Sequence, residues 1–128
     1  MIILAPISVG ELIDKITILE IKQQKILDPY KKQHVDTELD ELTSILDSLN
    51  KLPAEIDELR EQLYHINESL WMIEDFKREC ERNSNFNIEF IEAARLVYKK
   101  NDQRADIKRQ INYLTGSTIT EVKSHNKY

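Results

Sequence analysis

The chain has very little turn-forming material: two glycines and three prolines in 128 residues. A sheet protein of this length needs many tight turns, so the shortage argues for a few long helices. A single cysteine, Cys80, excludes an internal disulfide and suits a reducing cytoplasm. With glycines only at 10 and 116, no glycine-rich phosphate loop can be built. No apolar run approaches the ~20 residues a membrane span requires. Met1 to Ile7 is apolar but short, lacks a basic start and runs into a helix cap, so no signal peptide is expected.

Metal chemistry is also poorly supplied. His34, His65 and His125 are scattered, and neither a His-Glu-x-x-His nor a paired Cys-x-x-Cys occurs. Glu61 and His65 are four apart, not at the Glu-x-x-His spacing of di-iron bundles. Helical magnesium-dependent pyrophosphatases pair a Glu-x-x-Glu with a later Glu-x-x-Asp. Here Glu38-x-x-Glu41 offers the first, and no Glu-x-x-Asp follows it. No metal and no cofactor is therefore expected. Cys80, at the tail of an apolar seam, reads as a buried structural thiol.

Charge is abundant but uneven. The net charge is −5; residues 1–86 carry 10 basic and 18 acidic side chains, whereas residues 87–128 carry 8 and 5. The acidic total argues against a duplex nucleic-acid partner, which normally meets a basic footprint. The basic last segment suits packing on the acidic helices, or an anion site of its own.

Periodicity places four helices in one expected domain spanning 1–128. The first, about 9–27, opens with Ser8 and Glu11, a capping pair in which the hydroxyl takes a free N–H and the carboxylate reaches back to the cap. Val9, Leu12, Ile13, Ile16, Leu19, Ile26 and Leu27 share one broad face, with Ile18 and Ile21 off it. Asp28-Pro29 stops this helix and starts a second, about 29–51, with a seam of Val35, Leu39, Leu42, Leu46 and Leu49. The third, about 54–82, follows Pro53. Its seam is Ile56, Leu59, Leu63, Ile66, Leu70 and Ile73, flanked by Tyr64 and Trp71. The fourth, about 88–114, ends at Gly116. Its first face, Phe90, Ile91, Ala94, Val97, Tyr98 and Ala105, gives way to Ile107, Ile111 and Leu114, which predicts a kink or a new packing partner near Asn101-Asp102. The expected architecture is an all-α, antiparallel four-helix bundle. A two-stranded ribbon between Ile2–Leu4 and the Thr- and Val-rich segment 117–122 is a further expectation.

Polar residues on apolar faces mark the candidate sites. Glu20 and Gln23 interrupt the stripe of the first helix, and a carboxylate there must be paired, solvated at an edge, or used. Asn101, Lys108 and Asn112 continue the first face of the fourth helix, with Arg104 and Arg109 beside it. Such amides and cations either hold a phosphate or carboxylate or pair with acidic neighbours. A second group, Asn67, Trp71, Glu74 and Arg78, offers an aromatic platform with charges for a sugar or base, or else ordinary packing.

Three blocks, Pro6–Lys22, Asn67–Asp75 and Phe90–Asn112, resemble a family of small helical proteins of unknown function from bacteria and bacterial viruses. The resemblance covers almost the whole chain. It implies no defined activity; genes of that family sometimes lie near those for surface-sugar transfer. On the residues themselves, two functions stand. One is a non-enzymatic interaction or assembly module, expected to be a homodimer or to bind a protein partner. The other is an enzyme or binding protein for a small anionic molecule, such as a phosphorylated sugar or nucleotide. Convergence of the polar residues of the first and fourth helices on a pocket would favour the second; mutual pairing would favour the first.

Overall fold

A computed structural model describes residues 1–126 and is an all-α four-helix bundle. The helices are α1 (Val9–Lys25), α2 (Pro29–Asp47), α3 (Glu55–Arg82) and α4 (Ile88–Thr115). None is long and apolar enough to cross a membrane. Their starts follow local chemistry. Ser8 Oγ accepts the Glu11 N–H at 3.0 Å, Asp28 Oδ1 accepts that of Lys31 at 2.9 Å ahead of Pro29, and Asn87 Oδ1 accepts that of Phe90 at 3.3 Å. Gly116 closes α4 with φ +66°, the left-handed turn that glycine adopts without strain. The Glu11 carboxylate does not complete the capping box; Lys108 takes it instead, at 2.7 Å.

Two helices stop earlier than their apolar pattern predicts. After Lys25 the chain turns extended at Ile26, and Leu27 is exposed. Helix α2 ends at Asp47 because Ser48 turns its hydroxyl onto the Ile45 carbonyl, at 2.6 Å, in competition with the helical ladder. The expected ribbon is absent: no strand occurs among the described residues, and both Ile2–Leu4 and residues 118–126 are exposed. Two short strands with no sheet or helix beneath them bury too little to persist.

Helix α1 is the hub. It contacts α2, α3 and α4, whereas α2 contacts α1 alone at the backbone level. From Gly10 to Asp14, its partners on α4 run backward from Asn112 to Arg104, so these two helices are antiparallel. The hydrophobic core joins Leu12, Ile13 and Ile16 of α1 with Leu46, with Ile56, Leu59 and Leu63, and with Ile107 and Ile111. It therefore lies at one end, between the start of α3 and the end of α4.

The other end follows from length. At 1.5 Å per residue α1 spans about 25 Å, and α3 and α4 roughly 42 Å each. The far halves of α3 and α4 extend past α1 as a two-helix hairpin. Between Met72 and Lys100 only Cys80 and Ala93 are buried. Helix α4 is unbroken through Asn101-Asp102; its change of face is a change of partner, from α3 alone to α3 and α1. Ile91 and Tyr98, expected in the core, are exposed for the same reason.

Candidate functional site

One carboxylate organises the polar residues. Asp14 is completely buried on α1. Arg104 holds it with two hydrogen bonds, Nε to Oδ1 at 2.9 Å and Nη2 to Oδ2. Asn67 Nδ2, from α3, lies 2.9 Å from both Asp14 Oδ1 and Thr17 Oγ1. Lys108 Nζ lies 3.8 Å from Asp14 Oδ2, 2.7 Å from Glu11 Oε2 and 3.1 Å from Glu121 Oε2. One buried acid thus ties α1 to α3 and α4. Among the described residues no buried side-chain nitrogen or oxygen lacks a hydrogen-bond partner.

The electrostatics follow from this pairing. Burial pushes the Asp14 carboxyl upward, but hydrogen bonds from Arg104 and Asn67 and the charges of Arg104 and Lys108 outweigh it and hold the group below its ordinary value. Arg104 is raised by its bond to Asp14, against the opposing effect of burial. Burial depresses the Lys108 ammonium, and the bonds to Glu11 and Glu121 more than reverse that. Glu121 is lowered by its bond to Lys108.

Close packing sustains the arrangement. Gly10 donates its N–H to Asn112 Oδ1 at 2.8 Å, and a Cβ at Gly10 would stand 2.5 Å from the Lys108 carbonyl oxygen. Only glycine lets α1 and α4 approach this far.

The candidate residues divide by position. Glu20 pairs with Arg60 at 3.2 Å and Gln23 donates to Asp36 at 2.8 Å, so both are turned toward α3 and α2, away from Lys108. Asn101, Arg104 and Lys108 do come together, with Arg104 Nη1 3.4 Å from Asn101 Oδ1; Asn112 is committed to Gly10 one turn further on. Asn67, Trp71, Glu74 and Arg78 gather around a cleft of about 360 Å³ that also involves Ile18, Ile21 and Arg104. A second cleft of about 300 Å³, lined by Glu11, Asn101, Arg104, Lys108, Glu121 and Lys123, lies at the same arginine.

Asp14 itself lies outside the residues that the polar interruptions of the apolar faces single out. The available signal was a second stripe on α1, in which Asp14, Thr17, Ile18 and Ile21 recur at helical spacing beside the main apolar face. Glu11-x-x-Asp14 also has a metal-binding spacing, placed before Glu38-x-x-Glu41 rather than after it. Both its carboxylates are taken by Lys108 and Arg104, and the described residues contain no group of three or more metal-ligating side chains.

What the fold and the site define is a helical domain with an internally neutralised polar knot at one end and an unpartnered helical hairpin at the other. The chain belongs to the Family of unknown function (DUF6165), whose model matches residues 3–128. No curated protein and no solved structure matches it significantly.

Proposed function

We propose that this protein is a non-enzymatic assembly module that self-associates through the projecting half of the α3–α4 hairpin. The observation that carries the reading is the surface of residues 72–100. Met72, Phe76, Phe86, Ile88, Ile91, Leu96 and Tyr98 are all exposed there. Seven large apolar side chains left exposed on one hairpin are what an interaction surface offers. The polar residues expected to hold a ligand support the same reading, because α1 and α4 satisfy one another through Asp14–Arg104, Glu11–Lys108 and Gly10–Asn112.

Charge favours a second copy as the occupant. Residues 72–100 hold six acidic and six basic side chains, so the whole net charge of −5 resides elsewhere. Two copies meeting at this end avoid like-charge repulsion. Ile88, Ile91 and Tyr98 share one exposed stripe of α4, and a closed two-fold dimer would apply that stripe to its own copy. A reducing compartment suits the buried free thiol Cys80.

The test is the oligomeric state of the wild-type chain and of Ile91→Glu at micromolar concentration. A wild-type dimer and a folded monomeric variant are expected; a wild-type monomer refutes the reading.

A further inference from the structure

The helices of the α1 end are complete, but the segment that leads into them is not. Residues 1–7 are all exposed, with Ile2, Ile3 and Leu4 at 73%, 79% and 94% of full accessibility. Among the described residues, none donates a hydrogen bond to Ile2–Ala5 or accepts one from it. Pro6 fixes one backbone torsion and favours extended geometry at Ala5, ahead of the Ser8 cap. An apolar arm with a free backbone edge is a template for another strand.

A groove of about 500 Å³ lies between this arm and Leu42, Ile45 and Leu49 of α2. Ile45 and Leu49 are themselves exposed. The other strand-like segment does not fill the groove: Lys108 holds its Glu121, and no residue beyond Gly116 lines the groove. The charged residues that do line it are Lys15, Glu38 and Glu41, and residues 1–7 carry no charged side chain.

We propose that the arm of a second copy fills this groove, the two arms pairing antiparallel across a two-fold axis. Antiparallel pairing of identical segments is two-fold symmetric by construction, so the contact closes on itself. It supplies the missing backbone partners and brings α2 of both copies alongside. Packing on helices is what so short a ribbon needs to persist. Uncharged arms let two copies meet although each carries a net charge of −5. The same charge, with Glu38 and Glu41 in the groove, counts against an anionic lipid surface as the occupant. A few side chains per copy make a small contact beside the ~800 Å² per partner of a standard interface. The expected Kd is therefore about 0.1–1 mM. This contact lies at the opposite end from the hairpin and does not rest on it. Where both operate, they alternate and extend dimers into an open chain.

Sedimentation of Ile91→Glu, in which the hairpin contact is disabled, tests this at concentrations up to about 1 mM. Ile91→Glu is expected to dimerise in that range, and to do so at least tenfold more weakly when Ile3→Glu is added. Ile3 is exposed, so the double variant should keep the fold, as circular dichroism will show. A chain that stays monomeric, or that dimerises equally well with Ile3→Glu, overturns the proposal. If Ile91→Glu is still dimeric at micromolar concentration, the hairpin reading fails, and the dependence on Ile3 still decides the arm. A nitroxide at Glu38→Cys of one chain should broaden the amide signals of residues 2–5 in an isotopically labelled second chain. No such broadening places the contact elsewhere and overturns the pairing of arms. Binding of wild type but not Ile3→Glu to phosphatidylcholine vesicles, with Ile91→Glu monomeric throughout, assigns the arm to a lipid surface instead.

Discussion

The two ends of this molecule solve the same problem in opposite ways. At the α1 end, every helix finds partners: Ile13, Ile16, Leu63 and Ile111 are almost completely enclosed, and the buried acid Asp14 is matched by Arg104, Asn67 and Lys108. At the hairpin end, α3 and α4 have only each other, and large apolar side chains remain in water. The difference originates in helix length. A 17-residue α1 cannot cover two 28-residue helices. The helices of one end are complete within the chain, and the other end is built as though something else completes it.

That comparison can be broken most severely at Asp14. Asp14→Ala leaves Arg104 and Lys108 partly buried without their shared acid, and loss of one partner of a buried pair typically costs about 3–5 kcal/mol. The melting temperature should fall by roughly 10 °C or more for a chain of this size. Thermal unfolding followed by circular dichroism checks it, and a change of a degree or two would show that the knot does not hold the base together.

Gly10→Ala strikes the same end through sterics. The added methyl meets a backbone carbonyl and cannot be relieved by a rotamer change, so α1 and α4 must separate. Overpacking of this kind costs about 1–3 kcal/mol, which outweighs the gain of up to about 1 kcal/mol in helix propensity. Chemical denaturation should show a net loss of stability, with no effect on the hairpin's ability to associate.

Acid should act next, and again on the base alone. The Asp14 carboxyl is held below its ordinary value, so its contribution is complete above the unfolded value of about 4 and is lost as pH falls through the folded value. Glu121 has the same sign, discounted by its exposure. Lys108 has the opposite sign, with a contribution complete below the ordinary lysine value and lost only in strong alkali. Stability measured against pH should therefore be level near neutrality and decline below about pH 4. Asp14→Asn should remove most of that decline; an unchanged slope would assign the acid sensitivity elsewhere.

Much of this fold is legible in the residues. Ser8, Asp28-Pro29, Asn87 and Gly116 act where their chemistry directs, and the Ile56–Leu59–Leu63 seam faces the core. What was not legible depends on distance in sequence. Nothing local shows that α1 lacks the length to cover Ile91 and Tyr98, since both lie at good core spacing in their own helix. Glu20 and Gln23 stand out in the sequence as an acid and an amide in an apolar stripe, yet at the flank of α1 they reach Arg60 and Asp36. Asp14, three residues from the Ser8–Glu11 cap, was overshadowed by it. Only the approach of α4 at Gly10 shows that this carboxylate is buried. Asn101, Arg104 and Lys108 were recognisable as a group because one helix face already joins them.

The hairpin is where the account is most exposed to refutation. Ile91→Glu should leave the monomer's stability within about 0.5 kcal/mol, as expected of an exposed position. Sedimentation velocity of the wild-type chain and of Ile91→Glu at micromolar concentration is the direct test. The account predicts a wild-type dimer that Ile91→Glu converts to a folded monomer. A wild-type chain that sediments strictly as a monomer, or a variant that remains dimeric, would contradict it.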